Sequence, residues 1–365
     1  EIKGKEFTQN TSTYTEGNLT IEADKVTLKG NGTQAGNILI TGDLENEVNI
    51  YSGNDINIGK GLVNKSGQIV AERNISINGK TDNKDLLYAK NNITIGKELN
   101  NTGNIQSNGS IKTGGNTTNT GKILSEKELE INGKLTSSGT VYGKNKADIK
   151  GDLDNSGDIQ SEGNITAGNT KNTGRIISDK NIEISGNLET EETVYAKEDL
   201  NVKGNLINKK DIQAKGNVSV EKDVTNQGRL LSDKELKIKG NTNNSGILYG
   251  KDRILLDKNL TNTGSIQTSG DLTAKDTINT GTLISEGNIT LGTLDNSGEI
   301  TLNKKLTTTI RENKAGAKIS TGEGIQNNGT KNLGEINTNG SFVISGNLEN
   351  YSVMNIGGLL NVNNL

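Results

Sequence analysis

Hydrophobic and polar residues alternate one for one along most of this chain, in short runs broken by Gly, Asn or Ser-Gly. A period of two means strands with one face buried. Ile105 and Ser107, Ile123 and Ser125, and Val141 and Gly143 are such inward-facing pairs in three successive runs. Helical spacing of three and four residues does not persist anywhere. The pattern predicts an all-β protein.

The runs repeat. A unit reads L-x-N-x-G-x-I-x-S-x-G-x-I-x-I-x-G, as from Leu99 to Gly115, where Thr113 replaces the last Ile. Its turn glycine recurs at Gly103, Gly121, Gly139, Gly157 and Gly174, with gaps of 18, 18, 18 and 17. Glu192 and Lys210 hold the slot in the next two units, and glycine resumes at Gly228, Gly246, Gly264, Gly281 and Gly298. A spacing that survives the loss of its own marker residue is a structural period. Asn-Gly and Ser-Gly also signal hairpins, but a hairpin meander imposes no constant period on equivalent residues. Coils of about 18 residues suit three short strands and three turns, each strand pairing in parallel with its copy in the next coil. The expected fold is a right-handed parallel β-helix, a solenoid with neighbouring strands about 4.8 Å apart.

A longer period overlies the first. Tyr88, Tyr142, Tyr195 and Tyr249 are 54, 53 and 54 residues apart, and Gln106, Gln160, Gln213 and Gln267 repeat with the same gaps. Residues 61–300 therefore read as regular coils in three-coil blocks. Residues 1–60 still alternate (Leu19, Ile21, Val26, Leu28, Ile38, Ile40) and predict coils of uneven length. Residues 301–365 predict less regular coils, with a bulge or loop at TTTIRENKAGAK, near 307–318.

One slot in the unit is an amide. It holds Asn101, Asn119, Asn155, Asn172, Asn208, Asn226, Asn244, Asn262, Asn279 and Asn296, with Ser137 and Thr190 as polar substitutes. Stacked amides can each donate to the next along the solenoid, which makes a structural ladder; coordination of an ion or ligand is the other use of such a column. A second column faces outward in the second strand of each coil. It reads Val70, Tyr88, Gln106, Leu124, Tyr142, Gln160, Ile177, Tyr195, Gln213, Leu231, Tyr249, Gln267 and Ile284. Its apolar members, Tyr88, Leu124, Tyr142, Ile177, Tyr195, Leu231, Tyr249 and Ile284, stabilise the outer sheet face by cross-strand contact or form a recognition stripe. Lys90, Lys144, Lys197 and Lys251 would flank it, and Glu126, Asp179, Asp233 and Glu286 read as a solvated acidic edge.

Composition narrows the function classes. Only 29% of residues are apolar and 2% aromatic, which cannot fill a wide core and fits a narrow stacked one. Low hydrophobicity also marks disorder, but strict periodicity and the absence of Pro argue against it. The formal charge of −3, with both signs interspersed, offers no basic surface for nucleic acid. No run approaches the twenty or so apolar residues of a membrane span, so no membrane insertion of this segment is expected. Glu1 to Asn10 lack a signal-peptide layout, which places any export signal outside the chain.

Segments such as KELNNTGNIQSNGSI, GDLDNSGDIQSEGNI and KNLTNTGSIQTSGDL, a dozen in register across roughly residues 60–300, resemble the repeats of the filamentous haemagglutinin family, the large exoproteins of two-partner secretion. The resemblance implies a rod segment that is secreted or displayed on the bacterial cell surface, exported with an outer-membrane transporter partner, and used for attachment to a host or bacterial cell-surface receptor or glycan. Some members are contact-dependent inhibition proteins, whose rod is a stalk presenting a C-terminal toxin. Neither the family's secretion domain nor a toxin is recognisable here, so the chain reads as an internal or truncated piece. Some related adhesins are glucosylated at Asn-x-Ser/Thr, which makes Asn18, Asn74, Asn92, Asn164 and Asn288 modification candidates.

Catalysis finds little support. The chain has no His and no Cys, so the commonest general base and the thiol nucleophile are missing. Carboxylate pairs can still hydrolyse glycosides, but coils holding at 17 or 18 residues leave no inserted loops to build a cleft. Gly114-Gly115 and Gly357-Gly358 lack the remainder of a calcium nonapeptide, and no EF-hand spacing occurs. No cofactor and no metal site are expected.

Overall fold

The computed structural model describes residues 1–364. Its strands are short, and no helix occurs among the described residues. The chain divides into two compact units, Glu1–Glu183 and Ile184–Leu365, and each is a parallel β-solenoid with coils of about 18 residues.

In the first unit a coil consists of Leu99–Asn101, Asn104–Ser107 and Ile111–Thr113. Its strands pair in parallel with Thr117–Asn119, Lys122–Ser125 and Glu128–Ile131 of the next coil, Leu99 beside Thr117, Ile105 beside Ile123 and Ile111 beside Leu129. In the second unit Leu206 pairs with Val224, Ile212 with Leu230 and Val218 with Leu236 in the same manner. Every described pairing is parallel, which excludes the hairpin meander. First and third strands of the coils lie in one sheet, and second strands in another.

Alternation decides what each short strand buries. Leu99, Asn101, Ile105, Ser107, Ile111 and Thr113 point inward and are at most 1% exposed. Three of these six are polar, which is how a chain so poor in apolar residues still closes a core. Each inward Leu or Ile contributes roughly 1.5–3 kcal/mol of hydrophobic stabilisation. Aromatic rings are nearly absent from the interior; Phe342, fully buried, is the exception.

The recurrent turn glycine answers to stacking, not to a left-handed backbone. A β-carbon on Gly121 would lie 1.9 Å from the Gly103 carbonyl oxygen of the preceding coil, so successive turns approach too closely for a side chain. Among the described residues, positive φ is confined to Gly30, Gly32, Gly67, Gly316 and Gly324, all in or bordering the less regular stretches.

Toward the end of the second unit, third and first strands fuse. Ile289–Asn296, Lys305–Asn313, Gly324–Asn332 and Ser341–Asn350 run unbroken for 8, 9, 9 and 10 residues. Register shifts at Thr308/Ile310 and Ile310/Asn313 absorb the altered corner. Within the segment expected to bulge, Thr307 to Asn313 stay in the strand, and the chain leaves the sheet only across residues 314–317. There Gly316 adopts φ 83° with open space around it.

A buried amide ladder and an outward tyrosine column

The coils end their first strand with an inward residue, polar in all but the second coil, where Leu28 stands, placed where the chain turns into the second strand. In the second unit Asn208 Nδ2 donates to Asn226 Oδ1 at 2.7 Å, Asn226 to Asn244 and Asn244 to Asn262 at 2.8 Å, Asn262 to Asn279 at 2.8 Å, and Asn279 to Asn296 at 2.9 Å. Three asparagines outside the regular spacing continue this run. Asn296 donates to Asn313 and Asn313 to Asn332, both at 2.9 Å, and Asn332 to Asn350 at 2.8 Å. The second proton of each amide serves the turn, as when Asn226 donates to the Gly228 carbonyl at 3.0 Å. Asn208 to Asn332 are nearly fully buried and Asn350, at the end of the run, is exposed, so all but the last bond are made away from water, where an unmade one is costly.

In the first unit the ladder starts earlier than the regular repeat. Asn46 donates to Asn64 at 2.9 Å, Asn64 to Asn83, Asn83 to Asn101 and Asn101 to Asn119 each at 2.8 Å. Asn119 then donates to the Ser137 hydroxyl at 3.2 Å, which itself donates to the Gly139 carbonyl at 3.3 Å. Ser137 is too short to continue to Asn155, and the amide series resumes with Asn155 donating to Asn172 at 2.8 Å. In the first coil Gln9 occupies the slot, pairing beside Leu28. Its Oε1 accepts from the hydroxyls of Thr13 at 2.7 Å and Thr33 at 3.1 Å. With both amide groups spent on neighbours, the column has little left for an ion. No group of three or more His, Cys, Asp or Glu side chains suited to a metal occurs among the described residues, and no described helix is long and apolar enough to cross a membrane.

The second-strand column is in register and outward. In the first unit it runs Val70, Tyr88, Gln106, Leu124, Tyr142, Gln160 and Ile177, neighbour on neighbour. Three residues that the spacing did not reveal extend it: Tyr14 beside Gln34, Gln34 beside Tyr51, and Tyr51 beside Val70. In the second unit it runs Tyr195, Gln213, Leu231, Tyr249, Gln267 and Ile284. From there it turns polar through Thr301, Ser320, Asn337 and Asn355. Tyr88, Leu124, Tyr142, Ile177, Tyr195, Leu231, Tyr249 and Ile284 are half-buried, whereas Tyr14 is 67% exposed and Tyr51 38%.

The charged residues two positions further on form one column, not a basic flank and a separate acidic edge. Glu72, Lys90, Asn108, Glu126 and Lys144 each follow the last residue of a second strand and bond back to the preceding coil. Lys90 Nζ lies 3.2 Å from Glu72, and Lys144 Nζ 3.4 Å from Glu126. Asp179 and Lys197 take the same place in their coils, as do Lys215, Asp233, Lys251 and Glu286. The hydrogen bond from Lys215 to Asp233, at 2.8 Å, holds that ammonium above its ordinary pKa. Such exposed pairs contribute little to stability; their effect is to neutralise the border of the tyrosine column. Across that border the Tyr142 hydroxyl donates to Glu162 at 2.7 Å. Burial and then this hydrogen bond push the phenol up to about 12. Tyr88 accepts at its hydroxyl from Asn108 at 3.0 Å.

Asn18, Asn74, Asn92, Asn164 and Asn288 share one position, at the entry to the third strand. Asn92 Oδ1 accepts from the Ser110 backbone N–H at 2.9 Å, and Asn164 Oδ1 from Asn181 at 3.2 Å. Asn74, Asn92, Asn164 and Asn288 thus complete the backbone ladder at a corner, while Asn18 accepts from the Asn37 side chain. The sequence pattern alone could not assign this use, because the partner lies a full coil away.

Two concavities mark the first unit. One, of about 350 Å³, is edged by Lys25, Asp43, Glu45, Lys80 and Asp82. The other, of about 280 Å³, is lined by Tyr14, Gln34 and Tyr51 together with the turn residues Ser12, Asn31 and Asn49. No family model, curated protein or solved structure matches the chain.

Proposed function

We propose that this chain is a non-catalytic structural segment of a secreted or surface-exposed bacterial adhesin of the filamentous haemagglutinin kind, attaching to cells or surfaces through its side. The observation that supports this most is the in-register outward column, which repeats tyrosine and aliphatic side chains beside a border of paired charges. Groups presented at a constant pitch convert weak individual contacts into strong attachment by multivalency. A chain without His or Cys, whose turns insert almost nothing between coils, suits display better than catalysis. Export with an outer-membrane transporter partner, and a cell-surface receptor or glycan as target, belong to the same proposal.

Replacing Tyr142, Tyr195 and Tyr249 together with Ser tests it in a cell-attachment assay. Attachment is expected to fall about tenfold or more, because avidity multiplies the loss at each contact. Parental attachment by a variant with parental circular dichroism overturns the reading. The column would then be outer-face packing alone, and the chain a passive stalk such as one presenting a toxin.

A further inference from the structure

The geometry points to a binding slot for one neutral pyranose ring between Tyr14 and Tyr51. It lies in the outward column but away from Tyr142, Tyr195 and Tyr249, whose replacement tests the attachment proposal, so the two can fail separately.

Tyr14 and Tyr51 are neighbours of Gln34 on opposite sides, hence two coils apart. At the parallel-strand spacing their side chains stand about 9.6 Å from each other. Side chains of a strand rise roughly perpendicular to the sheet, so the Gln34 side chain rises between the two tyrosines, and all three edge the concavity. A ring laid against the Gln34 amide would be within reach of a tyrosine face. The space is open and occupies about 280 Å³.

The chemistry of the lining selects the ligand. Every residue around the slot is uncharged: two tyrosines, with Ser, Thr, Asn, Gln and Gly between them. The side chains of Ser12, Asn31 and Gln34 make no hydrogen bond within the protein among the described residues, and they line the slot. Amides and hydroxyls of this kind both donate and accept, which matches the alternating donors and acceptors of sugar hydroxyls. A tyrosine face matches a C–H face of the ring. No cation lines the slot to meet a phosphate or carboxylate, in contrast to the lysine-edged groove at Lys25 and Lys80.

Spacing makes the slot specific within the column. Tyr51 and Tyr88 are also two coils apart, but Val70 lies between them and supplies no hydrogen-bonding group. Tyr88 and Tyr142 are separated by Gln106 and Leu124, an interval of about 14 Å that one ring does not span.

Saturation-transfer NMR of the full chain with methyl glucoside, methyl galactoside, methyl mannoside and methyl N-acetylglucosaminide tests the assignment, with glucuronate and glucose 6-phosphate as charged comparisons. At least one neutral glycoside is expected to receive saturation from tyrosine, more strongly than the charged sugars. Tyr14→Ser or Tyr51→Ser should weaken that binding about tenfold or more, Gln34→Leu should weaken it, and Tyr249→Ser should leave it unchanged. Tyr14→Phe, which keeps the ring face, should retain it. No transfer to any neutral glycoside, preference for a charged sugar, or undiminished transfer in both serine variants overturns the slot. Loss of sugar binding in Tyr14→Ser, beside parental attachment in the Tyr142, Tyr195 and Tyr249 variant, would sink the attachment proposal and leave the slot standing.

Discussion

The two units carry the same two columns with opposite regularity. In Ile184–Leu365 the amide ladder runs unbroken from Asn208 to Asn350, while the outward column loses its apolar character after Ile284 and continues through Thr301, Ser320 and Asn337. In Glu1–Glu183 the ladder is interrupted at Ser137, while the outward column keeps tyrosine, glutamine or an aliphatic residue from Tyr14 to Ile177. Buried slots and exposed slots thus vary independently. A ladder amide is donor to one coil and acceptor to another, so substituting it disturbs three coils together. An outward residue meets solvent on one side and tolerates exchange, which leaves that face free to carry recognition.

The largest expected effect breaks the better ladder. Asn226→Ala removes the acceptor of Asn208 and the donor to Asn244, and it takes the side-chain donor from the Ile247 carbonyl and from the Gly228 carbonyl, which keeps the Ile247 N–H. Unmade buried hydrogen bonds cost about 1–3 kcal/mol per group, so a loss of about 3 kcal/mol or more is expected from urea unfolding of the purified chain. A change under about 0.5 kcal/mol would show that the amides only fill space.

The converse change should repair the poorer ladder. Ser137→Asn puts an amide between Asn119 and Asn155, on a backbone whose pairing register, Asn119 beside Ser137 beside Asn155, already aligns them. One added buried hydrogen bond predicts a gain of about 1 kcal/mol, read as a higher urea midpoint at unchanged slope. A loss of stability would mean that the Ser137 site is too small for the amide, and that the interruption is a packing feature.

How far the sequence exposed these columns depends on turn length. Between Asn101 and Asn296 the gaps stay at 17 or 18 except across the polar substitutes Ser137 and Thr190, so both columns can be written down by counting. Tyr14, Gln34, Tyr51 and Val70 are 20, 17 and 19 residues apart, because turns holding Gly30, Gly32 and Gly67 at positive φ take up different lengths. Counting therefore loses the register where the sugar slot lies. Asn46, Asn64, Asn83, Asn313, Asn332 and Asn350 escaped for the same reason. Gln9 was hidden differently: its partners Thr13 and Thr33 occupy positions that elsewhere hold Ile or Val, so nothing in the alternation marks them as polar partners. The outward direction of the tyrosines was legible, since alternation alone sets it. Their division into two-coil and three-coil intervals was not, because it requires the register of the uneven coils.

The smallest effect concerns how tightly the outward column is held in the first unit. Tyr142 is pressed between Leu124 and Gln160, and burial, aided by its hydrogen bond to Glu162, pushes its phenol up from 10.0 to about 12. The raised value means that the folded chain favours the protonated phenol. Its contribution to stability is whole below the ordinary phenol pKa of about 10 and disappears as pH rises through about 12. An ultraviolet titration of the folded chain should show one phenol ionising near that upper value, absent from Tyr142→Phe. Glu162→Gln should move it only part of the way back, because burial is the larger cause. A full return to the ordinary value would instead make the carboxylate the dominant influence, leaving Tyr142 as mobile as an unpacked surface residue.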